Sequence, residues 1–76
     1  MKCDYEKVIQ LIENGDWDTA HQMVQVHSDR LSCLLHGYLH RDEGDLGNAA
    51  YWYRRGGEEL PKNSLPIELE RLKEMI

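Results

Sequence analysis

Basic residues are scarce in this 76-residue chain: nine Lys and Arg stand against fourteen Asp and Glu, for a net charge of −5 and a pI near 5.2. Nucleic-acid binding needs a cationic surface that neutralises phosphates, so this balance argues against it. The only basic cluster, Arg54-Arg55 with Lys62 nearby, is too small to reverse that. Cysteine is scarce too. Cys3 and Cys33 form no C-x-x-C pair, and small chains of oxidising compartments normally carry more, so reduced thiols in a cytoplasmic protein are expected. The opening Met-Lys-Cys-Asp-Tyr-Glu lacks the apolar region of a signal peptide. No apolar run approaches the roughly 20 residues that cross a bilayer, so no membrane partner is expected. Period-two alternation is absent, which leaves no credible strand. Catalytic signatures are missing as well: there is no nucleophile elbow, no Gly-rich phosphate loop and no Cys-His pairing recognisable by spacing. Cys33 and His36 are three apart, but Cys33 borders an apolar stripe, where a thiol is buried and inert. Neither enzymatic activity nor a cofactor is expected.

What is present is helical periodicity over nearly the whole length, and it predicts a single all-α domain spanning residues 1–76. Tyr5, Val8, Ile9 and Ile12 form one stripe, and Asn14-Gly15 stops it. Asp16 caps a second helix with Trp17, Ala20, Val24 and His27 on its face. A third, from about Arg30 to Glu43, carries Leu31, Leu34, Leu35 and Tyr38; being the most apolar, it should be central. Gly44-Asp45 repeats the stop and the cap before a fourth helix with Leu46, Ala49, Ala50, Tyr53 and Gly57, which Gly56-Gly57 ends. Ser64 caps a fifth helix with Leu65, Leu69, Leu72 and Ile76 on its stripe and Glu68 placed to suit the helix dipole.

The Gly-Asp-x-x-x-Ala pattern of residues 15–20 recurs at 44–49, an offset of 44 − 15 = 29. Repeats of 20 to 50 residues in helical chains signal stacked hairpins. Gly37 is spaced to meet Ala49 where two helices cross closely, because a larger side chain there would hold the backbones apart. The ladder Gly37, Ala49, Tyr53 and Pro61 resembles that of a tetratricopeptide repeat, and the run from Ala49 to Gly57 is similar to the A-A-x-W-Y-x-K-A-A segment of Sel1-like repeats. The offset of 29 is shorter than the 34 residues of a tetratricopeptide repeat, and Cys33, His40 and Gly56 depart from its Trp, Tyr and Ala. The Gly-Asp-x-x-Asn-Ala-x-Tyr-Trp-Tyr stretch also resembles that of small bacterial proteins, a likeness that supplies no function. The resemblance implies two antiparallel hairpins, about 4–27 and 30–57, plus a capping helix at about 64–76.

Two kinds of site are then legible. Such a repeat implies a groove that takes a protein or peptide partner, with Leu31, Leu34, Tyr38 and Arg41 as floor and rim and Tyr51, Trp52 and Arg54 as a second patch. Three consecutive aromatics cannot all face one neighbour, since successive helical residues point about 100° apart. Tyr51 and Trp52 therefore meet either the fifth helix or something outside the chain, and a homodimer is one such solution. Arg54 and Arg55 can receive a partner's carboxylate or pair with Glu58 or Glu59. The alternative site is metallic. His36 and His40, four apart on one helix face, can grip a divalent ion with Glu43, or with His21 or His27 from the neighbouring hairpin, as third ligand. The bland counterpart is a pair of flank histidines hydrogen-bonded across to the next helix.

Overall fold

Each helix begins where a short polar side chain reaches the free N–H groups of its first turn. In the computed structural model, which describes residues 2–76 and so leaves the first residue of the N-terminal stretch outside it, the helices are α1 (Tyr5–Glu13), α2 (Trp17–Gln25), α3 (Arg30–Asp42), α4 (Leu46–Arg55) and α5 (Leu65–Glu74). Asp4, Asp16, Asp29, Asp45 and Ser64 cap them in turn, each side chain accepting from the backbone N–H three residues on. Three stops share one geometry. Gly15, Gly44 and Gly57 take φ of +78°, +87° and +86°, and the following N–H closes back on the helix, as in Asp16 N to Leu11 O at 2.8 Å. Gly57 alone is the left-handed stop of α4, because Gly56 keeps a negative φ and has another task.

That task is close packing. A methyl group on Gly56 would lie 2.7 Å from Leu34 Cδ2, and one on Gly37 would lie 2.6 Å from the Tyr53 ring and 3.2 Å from the Ala49 carbonyl. Two glycines and Ala49 thus let α3 and α4 approach until Leu34 and Tyr53 interlock. The inward line of α4 is Ala49, Tyr53 and Gly56; Leu46, expected on it, is exposed.

α3 packs on α2, α4 and α5, while α1 packs on α2. Ten consecutive residues of α3, Leu31 to His40, are buried, so the helix is covered on every side. Around it lie Val8, Ile9, Leu11, Ala20, Val24, Tyr53 and Leu72, one continuous apolar core. Burying such a side chain stabilises by roughly 1.5–3 kcal/mol. Among the described residues there is no strand, and no helix is long and apolar enough to cross a membrane.

α5 turns a different edge inward from the one its stripe predicts. Leu72 and Glu68 are fully buried, Leu65 and Leu69 are half-buried and Ile76 is exposed. The reason is the Tyr53 hydroxyl, which needs an acceptor in the core and donates to Glu68 at 2.8 Å. Asn63 and Arg71 donate to the same carboxylate at 3.0 and 2.8 Å, and Arg71 continues to Glu58, which Arg30 of α3 also holds. Burial alone would raise the proton affinity of Glu68; these donors overcome it and hold the carboxyl below its ordinary range.

Candidate metal centre

A helix buried on all sides must satisfy its polar residues internally, and on α3 these are Ser32, His36 and His40. Ser32 Oγ donates to the capping Asp29 at 2.7 Å. The histidines turn instead to α2. Trp17 and His21 stand four apart there, as His36 and His40 do on α3, so each helix presents two stacked rings to the other. His21 Nε2 lies 3.1 Å from His36 Nε2. The ring centroids of His36 and His40 are 4.9 Å apart, and those of His21 and His40 are 5.3 Å apart. Each of the three rings offers a nitrogen, and all three nitrogens lie within 4.8 Å of one another.

Tryptophans wall this trio. Trp17 stacks on His21 at 4.7 Å and 9°, and its indole N–H donates to the Leu39 carbonyl at 2.7 Å, fixing α2 against α3. Trp52 of α4 stacks on His36 at 3.8 Å and 14°, with the Arg55 guanidinium 4.8 Å above its far face. His40 Nδ1 donates to Glu43 Oε2 at 2.6 Å. A carboxylate only accepts, so Nδ1 carries a proton, and in the neutral ring this leaves Nε2 to offer a lone pair.

Burial and mutual repulsion favour the neutral form of His36 and His21. Burial, then His21 and His40, push the proton affinity of His36 down to about 4; burial, then His40, lower that of His21. Neutral imidazole is the form that binds metal. A tetrahedral zinc with Zn–N of about 2.0–2.1 Å sets its nitrogens about 3.3 Å apart, so His21 and His36 already stand near that separation. The widest pair leaves at most about 1.5 Å to close, 4.8 less 3.3, within reach of side-chain rotation. Without an ion, one shared proton must join the two Nε2 atoms. His36 Nδ1, buried with no partner, keeps that status whether a proton or a cation lies between them.

The other site residues fall out unevenly. Leu31, Leu34 and Tyr38 are buried, and Arg41 donates to Asn63 at 3.0 Å across to the α5 side. Three of the four residues expected to form the groove thus pack into the chain's own core, and only Arg41 is partly exposed. Of the second patch, Tyr51 is 53% exposed and Arg54 is exposed beside Glu59 at 3.4 Å. Trp52 is half-buried on His36 rather than under α5. Glu43, a candidate ligand, lies against His40 and forms a second, more exposed group with it and Asp45, while His27 lies outside both groups. Cys33 is buried with its thiol pointing to the Ser28 carbonyl, and burial pushes its proton affinity up. Spacing alone missed the pairing of Trp17 with His21, although their four-residue separation on a capped helix is the same signal that exposed His36 and His40.

No protein-family model, no curated protein and no solved structure matches this chain.

Proposed function

We propose that this chain is a small transition-metal-binding protein in which His21, His36 and His40 hold one divalent ion, zinc being the best match to three imidazoles. The observation that carries this reading is the convergence of three imidazole nitrogens within 4.8 Å, two of them on buried residues. The Glu43 carboxylate on His40 Nδ1 is the outer partner that metal-binding histidines characteristically have. Three protein ligands leave a fourth position for water or an exogenous group. Calorimetry with Zn²⁺ on the chelator-stripped chain is expected to give one site per molecule. His40→Ala should abolish it, Glu43→Gln should weaken it by about 10- to 100-fold, and His27→Ala should leave it unchanged. A flat isotherm, or one indifferent to His40→Ala, overturns the reading.

A second reading is favoured by Tyr51, exposed beside Arg54 and Arg55 on a chain whose net charge is −5. In it the chain is a tetratricopeptide-like interaction module whose aromatic and cationic patch takes an acidic protein or peptide, or a second copy in a homodimer. Sedimentation of the parent and of Tyr51→Ala tests the dimer: a parent that is monomeric at high concentration removes that variant of it.

A further inference from the structure

Polar ties are unevenly spread over this fold. α3, α4 and α5 are joined by the interlocked Gly37–Tyr53 and Gly56–Leu34 contacts and by the chain of donors from Arg30 through Glu58, Arg71 and Glu68 to Tyr53. The α1–α2 pair has much less. α2 fully buries only Ala20 and Val24. Besides the His21–His36 contact, the polar ties of the α1–α2 pair to the remainder include the Trp17 indole on Leu39, the Tyr5 hydroxyl on Asp29, and an exposed Lys73–Glu13 ion pair. An exposed pair of that kind contributes little. At the boundary itself, three histidines stand beside the apolar contact that Ala20 and Val24 make with the core.

Those histidines divide across the boundary: His21 comes from α2, His36 and His40 from α3. Resting on the metal reading above, we infer that the bound ion is a latch that fastens the α1–α2 pair to α3, and that the metal-free chain releases this pair before the remaining helices melt. What the release uncovers follows from helix geometry. Ser32 and His36 face α2 and the N-terminal segment, and Leu35 and Leu39 share that face, whereas Leu34 and Gly37 point to α4. Opening therefore exposes Leu35 and Leu39, an apolar strip hidden while the ion is bound. A ligand that requires both sides of a boundary shifts its opening equilibrium by the full factor of its binding.

Amide hydrogen exchange on the full chain, in chelator and in Zn²⁺, tests the latch, with calorimetry on the same samples. In chelator, Ala20 and Val24 amides should exchange at least about tenfold faster than those of Leu34 and Tyr53. Zn²⁺ at about 100 times its Kd should slow Ala20 and Val24 about 100-fold. In His21→Gln the remaining ligands lie on α3 alone, and Zn²⁺ should no longer slow α2. If calorimetry shows binding but all four amides of the metal-free chain exchange together, the ion is bound and there is no latch. The same conclusion follows if His21→Gln keeps the full slowing. No binding to the parent chain removes ion and latch together.

Discussion

Gly37 and Gly47 are both helical glycines, and their surroundings are opposite. A methyl on Gly47 meets nothing within 4 Å, so Gly47→Ala gains helix propensity alone. It is expected to stabilise by roughly 0.5–1 kcal/mol. On Gly37 the methyl meets a Tyr53 ring that is fully buried and tied by its hydroxyl to Glu68, so it cannot swing away. Gly37→Ala should therefore destabilise by about 1–3 kcal/mol despite the propensity gain. Thermal melts followed by circular dichroism read both, at roughly 4–8 °C per kcal/mol for a chain of this size. The caps at Asp16, Asp45 and Ser64 were legible in the sequence because a cap is a local event: a carboxylate or hydroxyl three residues from the N–H it receives. Gly37 at a crossing was legible for its size. Gly56 was not: read as a helix stop, it instead makes room for Leu34, a residue 56 − 34 = 22 positions away.

At the scale of the helix, α5 shows where periodicity misleads. Its leucines predict an inward edge that the structure rotates toward Glu68, because Tyr53, fifteen residues earlier, supplies a buried donor. A sequence stripe records which residues prefer to be dry, but not which charged residue has been given partners. Arg71→Met leaves the Glu68 carboxylate buried with Tyr53 and Asn63 but without its cation. Allowing for Arg71 being 37% exposed, the expected loss is about 2–3 kcal/mol in urea denaturation. Adding Glu68→Leu should recover part of it, since the double change removes the stranded charge. α3 tells the converse story. Its apolar content made its central place readable, whereas the fate of its histidines depended on α2, whose His21 was one of several partners in the sequence until the packed helices brought it to His36.

For the molecule as a whole, the histidine centre sets an acid limit. His36 has a proton affinity near 6.5 when unfolded and about 4 when folded, so between those values the unfolded chain binds more protons and is favoured. The stability associated with neutral His36 is complete above pH 6.5 and is lost as pH falls toward 4, by on the order of 3 kcal/mol in all. His21, lowered in the same direction, adds to this loss, and Glu68 extends it only below its ordinary carboxylate range. A 76-residue chain has a thin margin against such a loss. Urea midpoints in chelator should fall steeply from pH 7 to pH 5, and His36→Gln should flatten that slope; a slope unchanged by the variant would place the titrating group elsewhere. The tryptophan stacks have one more consequence. The chain contains two tryptophans, and each lies face to face with a histidine of the centre. Both indoles are therefore in contact with an imidazole, and an imidazolium quenches excited indole more strongly than a neutral ring does. The protein's indole fluorescence is thus light from this one centre, dimming as His21 and His36 take up protons, without any dye or label attached.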